Sequence, residues 1–206
     1  MARRTKADAD ATRNSLLDAA EHVFYEKGVA RASLNEIAQA AGATRGAIYW
    51  HFKDKTDLLN AMLERVTLPL EAACNAGDVL GCSGPLQRLG FVLHHLLGTI
   101  ENDPHTRRVF EIALYRVEYV SEFSGVRKRH LAAHARFHAL LARDLEAAAR
   151  ENGVALPMAV DAAAIGLYGL FDGLLQAWIW GGGHFPLAAT GSQAVAVYLR
   201  GLGFAP

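Results

Sequence analysis

The stretch from Ser33 to Lys55, SLNEIAQAAGATRGAIYWHFKDK, decides how this chain is to be read. Ser33 is an N-cap residue, and Glu36 three positions on completes a reciprocal capping box at the start of a short helix. Leu34, Ile37, Ala38 and Ala41 give that helix one apolar face. Gly42 ends it, because glycine accepts the left-handed backbone that a sharp exit needs. Thr44 caps a second short helix, in which Ile48 and Phe52 sit one turn apart and face inward. Two short helices around a glycine-containing turn form a helix-turn-helix, the unit that sets a second helix into the DNA major groove.

The outward residues of the second helix suit that use. Arg45 can donate to guanine edges, Gly46 permits close approach, and Tyr49 projects one turn beyond Arg45. Thr44, Trp50 and His51 can donate to phosphates, and Ser33 joins the same DNA-facing set from the first helix start. No acidic side chain lies between Ile37 and Lys53, so the presented surface is locally positive. A further helix is expected from about Asp54, where Lys55 and the helix N-terminus together can hold a phosphate.

TRGAIYWHFKDK, residues 44 to 55, resembles the DNA-binding signature of the TetR family of one-component repressors. The opening MARRTK is similar to the AcrR-type multidrug-efflux branch, and weaker likeness continues in TRRVFEIALYRVEY (106 to 119) and YGLFDGLLQAW (168 to 178). The resemblance implies an all-α fold: an N-terminal three-helix head over residues 1 to 54, and a helical ligand-binding and dimerisation domain over 55 to 206. It also implies that the last two long helices pair with their mates in a homodimer, and that positions 110, 114 and 172 help to wall a ligand pocket.

The chain of 206 residues is long enough for a substantial core, and its 21 basic side chains are matched by 21 acidic ones. A net charge of zero excludes a nonspecific nucleic-acid coat, and the first 65 residues are nearly balanced too. The case for DNA therefore rests on where the charges are placed. Two cysteines, Cys74 and Cys82, build no disulfide framework; they read as ordinary free thiols, and the chain as cytoplasmic.

Residues 1 to 9 are polar, with Arg3, Arg4 and Lys6 in a mobile arm that either follows the DNA backbone or minor groove or is an unattached solvated tail. A helix follows from about Asp10 to Lys27, its stripe of Leu17, Ala20 and Phe24 covering the inner face of the helix-turn-helix. The helix from Asp54 runs to about Ala73 and is the direct covalent route from head to body. After a loop at 75 to 85, helices are expected at about 85–101, 104–122, 126–152, 158–181 and 188–202. Pro104 and Pro157 sit at plausible helix starts, Asn152-Gly153 marks a stop, and no alternating pattern signals a strand.

Ala162 to Gly181 contains only two strongly polar side chains, Asp172 and Gln176. A transmembrane reading conflicts with a central aspartate, which costs an inserted helix about 2.5–3.5 kcal/mol, and with the lack of flanking Lys or Arg. A helix buried on one side in its own bundle and on the other in a twin subunit explains the same composition, with Gly166, Gly169 and Gly173 permitting close packing. His130, His134 and His138 share one helix face, but no cysteine or acid is spaced to complete a metal site, so they read as a solvated polar face. Neither metal nor other cofactor is expected.

Aromatic residues are frequent in the body, and most of them pack its core. Some also serve a cavity: Phe110, Leu114 and Phe171 as greasy walls, and Asp172 as a buried anion. A carboxylate inside an apolar helix must be paired, hydrogen-bonded or protonated, here with a drug cation or with a Tyr or Trp across a dimer. The expected protein is a ligand-responsive repressor. It binds a palindromic operator as a homodimer, releases it to hydrophobic or cationic drugs, and controls a multidrug efflux operon. Alternatives are the same scaffold sensing a metabolite, acyl or lactone signal, and, from another class, a His-dependent or metal-binding enzyme. No nucleophile elbow, phosphate loop or acid–base pair supports catalysis.

Overall fold

Among the residues described by the structure, a computed structural model covering 6–75, 82–117 and 124–205, all regular structure is helical. The nine helices among them are α1 (Lys6–Lys27), α2 (Leu34–Ala40), α3 (Arg45–His51), α4 (Lys55–Asn75), α5 (Pro85–Asn102), α6 (Pro104–Tyr115), α7 (Ser124–Asn152), α8 (Val160–Trp180) and α9 (Leu187–Gly201). The first helix starts four residues earlier than the apolar stripe predicts, so Lys6 belongs to it rather than to a free arm. Arg3 and Arg4 lie outside the described residues. Helix α6 stops at Tyr115 rather than near residue 122, and α8 begins three residues after Pro157.

The chain separates into two compact units, Met1–Leu68 with Arg108–Arg129, and Pro69–Arg107 with His130–Pro206. The division thus falls inside α4, at Pro69 in its second half, and the first unit gains a segment from the middle of the chain.

In the first unit α1 packs on α2 and α3, and Leu16, Leu17, Ala20 and Phe24 of α1, Ile37 and Ala38 of α2 and Ile48 of α3 are all buried. Each short helix is set by its own cap. The Glu36 amide donates to Ser33 Oγ, and the Ser33 amide returns a 2.9 Å bond to the Glu36 carboxylate. The Ala47 amide donates to Thr44 Oγ1 at 3.1 Å. At the start of α4 the Asp57 amide donates to Asp54 Oδ1 and the Lys53 amide to Asp57 Oδ2, at 2.8 and 3.0 Å. Gly28 and Gly42 have positive φ where α1 and α2 end.

The returning segment is fastened to α1. Glu21, buried on that helix, accepts from Arg108 at 3.1 Å and lies 3.8 Å from Arg65, which pairs with Asp18 at 2.7 Å. The Arg108 and Arg116 guanidiniums both approach the Tyr25 ring, and the Val29 amide donates to the Arg116 carbonyl at 3.0 Å. Arg129 and Glu64 form an ion pair.

In the second unit α5 lies along α9. Gly191 leaves room for Leu97: a Cβ there would stand 2.2 Å from Leu97 Cδ1. Glu101 caps α9 by accepting from the Leu187 and Ala188 amides at 3.0 and 2.9 Å. Asp144, fully buried on α7, accepts two 2.8 Å bonds from Arg88 of α5 and a third from Arg143. Tyr198 of α9 donates to the Ala163 carbonyl of α8 at 2.9 Å.

Candidate nucleic-acid interface

With Ile48 and Phe52 buried, the rest of α3 must face out. Arg45, Gly46, Tyr49 and Trp50 are exposed and His51 is half-buried. Trp50 leaves 73 % of its surface open although nothing in a soluble head gains from that exposure. Arg45 lies with its guanidinium 5.7 Å from the Tyr49 ring centroid, so the two side chains present one combined surface. Trp50 and His51 meet edge to face at 4.5 Å. The resulting ridge offers a fork of donors for base edges and aromatic and imidazole groups for the backbone.

Two members of the expected DNA set have structural duties. The Lys55 ammonium donates to the carbonyls of Ala30 and Ala32 at 2.9 and 3.1 Å, tying the start of α4 to the turn before α2. Those carbonyls precede a helix and have no partner in its ladder, which is why an ammonium is drawn to them. The Ser33 hydroxyl donates to the Glu36 carboxylate at 2.9 Å while accepting the cap bond, so its hydrogen is engaged. Lys27 foremost, then Ser33, hold the Glu36 carboxyl down at about 2. Lys55 and Ser33 therefore position the reading helices; Thr44, whose oxygen takes the cap bond, retains its O–H for donation.

A second cluster sits in the other unit, where α7 faces α8. The His134 and Tyr168 rings meet at 4.1 Å, and Phe137 stands 6.0 Å from Tyr168 and 5.5 Å from Phe171. Asp172 is partly buried beside them and accepts from Gln176, one turn along its own helix. Burial, then the Asp172 charge, pushes the Tyr168 hydroxyl up to about 12, so it is a donor at every physiological pH. Crowding by neighbouring atoms, then His134, holds His130 below the usual imidazole range against the pull of Asp172. His130 is exposed, whereas His134 is partly buried against Tyr168 and borders the Asp172 cluster; the i, i+4 spacing of the two was visible, but not the helix opposite. Among the described residues no group of three or more His, Cys, Asp or Glu is placed to hold a metal ion. Of the other expected pocket residues, Phe110 and Leu114 fall in the first unit, with Arg108–Arg129.

Helix α8 is, among the described residues, the one long and apolar enough to cross a membrane by length and composition. Its inner face buries Ala163, Ala164, Leu167, Phe171, Leu175 and Trp178. Its outer face carries Ile165 and Trp180, 61 % and 80 % exposed, with Gly169 and Gly173 between them. A Cβ at either of those glycines would touch nothing in the chain. Gly166 differs from both: a Cβ there would stand 2.2 Å from the Tyr198 hydroxyl, so Tyr198 fills its space within the chain. Beside the outer face runs a groove of about 440 Å³ lined by Leu170, Thr190, Gln193, Ala194, Val197 and Tyr198.

Comparison with known proteins places these features in a family. A profile described as bacterial regulatory proteins, tetR family, matches residues 16–62, and one described as MAATS-type transcriptional repressor, C-terminal region, matches 84–204. The HTH-type transcriptional repressor BepR of Brucella suis is 35 % identical over 97 % of this chain and 96 % of its own length. The crystal structure of NalD, the secondary repressor of the MexAB-OprM multidrug efflux pump in Pseudomonas aeruginosa, superposes with a TM-score of 0.85 at 32 % identity, covering 96 % of this chain and 98 % of NalD. SmeT, the repressor of the Stenotrophomonas maltophilia pump SmeDEF, in its complex with triclosan gives 0.79 at 32 % identity, over 92 % of this chain and 90 % of SmeT.

Proposed function

Because the chain belongs to the TetR family of bacterial regulatory proteins, we propose that it is a cytoplasmic, ligand-responsive repressor of a multidrug efflux operon. As a homodimer it holds a palindromic operator, and it leaves the operator when a hydrophobic or cationic drug enters the body. The observation that carries this reading is the exposed ridge of Arg45, Tyr49 and Trp50 on a helix whose other face is fully committed to the core. The kinship with efflux-pump repressors, one of them seen with triclosan, supports both the target and the inducer class. The family is one of transcriptional regulators, not of enzymes.

Dimerisation through the outer face of α8 and the neighbouring groove supplies two heads for two half-sites, whose centres in such operators lie about 34–36 Å apart. Inducer binding that changes the separation of the heads weakens both half-sites together. A coupling of about 1–3 kcal/mol lowers operator affinity by about 5–150-fold, enough for induction.

The test is fluorescence anisotropy with a labelled palindrome from the upstream region of the efflux operon. Arg45→Ala and Tyr49→Ala are expected to weaken binding, Arg45→Ala by about 1–3 kcal/mol if it reads a guanine, without changing the melting curve. Unchanged affinity in both variants would remove the ridge from the interface. In the same assay Asp172→Asn is expected to cost a cationic inducer about 1.5–3 kcal/mol while a neutral planar inducer is little affected. Equal losses for both ligands would make Asp172 part of the frame rather than a counter-charge.

A further inference from the structure

The end of α1 and the turn after it face the end of α6 across a cavity of about 140 Å³, bordered by Lys27, Ala30 and Arg31 on one side and Tyr115, Arg116 and Val117 on the other. All six belong to the first unit. The space is well above the roughly 30 Å³ that one water takes in the liquid. Three of the six side chains are cationic and none is acidic.

Basic residues near helix C-termini often serve only to cap the last carbonyls. Here most of that work is done by backbone amides. The Phe24, Ile112 and Arg116 carbonyls accept from the amides of Gly28, Arg116 and Val29. Arg31 gives its Nε to the Lys27 carbonyl at 2.9 Å and Arg116 lies over Tyr25. Among the described residues neither guanidinium has a carboxylate partner. Lys27, by contrast, is neutralised by Glu36 at 2.8 Å. The border of the cavity therefore carries two uncompensated guanidinium charges, each a planar fork matched to phosphate oxygens.

We propose that this cavity binds a small phosphate monoester or inorganic phosphate as its dianion. A charge of about −1.5 to −2 near pH 7 balances the two arginines, whereas a DNA phosphodiester carries a single charge. The bound anion bridges residues 27–31 and 115–117, adding to the hydrogen bond from Val29 to Arg116. The site does not depend on the operator or drug reading given above.

Inorganic phosphate titrated into the full-length protein by calorimetry, in phosphate-free low-salt buffer, tests this. Saturable binding and a raised melting temperature are expected. Arg31→Ala/Arg116→Ala is expected to weaken binding by about tenfold or more, Arg31→Gln/Arg116→Gln to do the same with side-chain length largely kept, and Lys128→Ala to leave it unchanged. Binding should weaken between pH 7.5 and pH 5, because the dianion takes up a proton over that range, a monoester doing so near about 6 and inorganic phosphate somewhat higher. The free metabolite and the operator backbone are told apart by the salt dependence of operator binding. A slope unchanged in the double variants supports the proposal. A slope smaller by about one unit assigns the arginines to a DNA phosphate and overturns it. Absence of saturable phosphate binding by the unmodified protein, or binding that survives in both double variants, overturns it as well.

Discussion

Ser33, Thr44 and Asp54 each fix a helix start through a partner three residues away, whereas the body fastens its helices through Arg88 to Asp144, 56 residues apart, and Glu101 to Leu187, 86 apart. Short helices cannot hold themselves in water, and an isolated helix of seven residues is far below the length at which propagation offsets nucleation. The head compensates with local caps and a small shared core. The body has long helices and places its strongest polar bonds where they choose which helix lies beside which. A reading head needs a fixed geometry on the scale of a base pair; a sensing body needs helices whose mutual packing a ligand can alter. The returning segment qualifies this contrast, because Arg108 and Arg116 grip α1 from far along the chain.

The largest expected effect strikes the body. Asp144→Ala removes a fully buried carboxylate and leaves Arg88, only 15 % exposed, without its bidentate partner. Breaking such a pair costs about 3–5 kcal/mol. Arg143→Ala, which removes the more exposed of the two arginines, should cost no more than about 1 kcal/mol. Urea unfolding followed by Trp178 emission, with hydrogen exchange of the head amides in parallel, checks both the size and the place. If Asp144→Ala loosened the head as much as the body, the two regions would share one cooperative unit and the contrast would fail.

What could be read beforehand follows the same division. Ser33, Glu36, Gly42 and Thr44 announce the helix-turn-helix because their chemistry acts within one turn, and Ile48 and Phe52 declare the inner face by spacing alone. The long-range bonds carry no such mark: nothing near Asp144 says that Arg88 will lie opposite, or that Glu101 will cap a helix beginning at Leu187. The bonds of Lys55 carry no local mark either, since the carbonyls it holds lie more than twenty residues upstream. Gly166 looked identical to Gly169 and Gly173 until Tyr198 was seen to occupy its space. The border of the Asp172 cluster was half visible, with His134 on a helix face shared with His130, and completed only by Tyr168 from the next helix.

A smaller effect separates what the body does alone from what it does in pairs. Gly169→Leu and Gly173→Leu add side chains where the chain itself offers no contact, so a protomer should melt as before. If α8 meets its mate there, overpacking costs about 1–3 kcal/mol of dimer stability. Sedimentation velocity should then show monomer, and operator affinity should fall although α3 is untouched. Dimers persisting with normal affinity would place the interface on another face. Gly166→Leu makes the internal control: it collides with Tyr198 and should lower the melting temperature whether or not dimers form.

The smallest effect tests whether the head is as locally coded as its caps imply. Asp54 faces solvent and its carboxylate accepts the first-turn amide of Asp57 at 2.8 Å. Asp54→Ala deletes that acceptor and should cost about 0.5–2 kcal/mol, the usual worth of an N-cap. Asp54→Asn keeps an acceptor oxygen at the same position and should recover most of the loss. The damage should be confined to the first turn of α4, read as faster hydrogen exchange at the amides of Lys55 to Leu58, with the Arg88–Asp144 region unchanged. Since Lys55 in that turn holds the carbonyls of Ala30 and Ala32, a frayed start also frees the turn before α2, and operator affinity should fall modestly alongside. Exchange that quickens equally in α5 and α9 would mean that a three-residue bond in the head stabilises the whole chain, and the local character of the head would then be confined to its sequence.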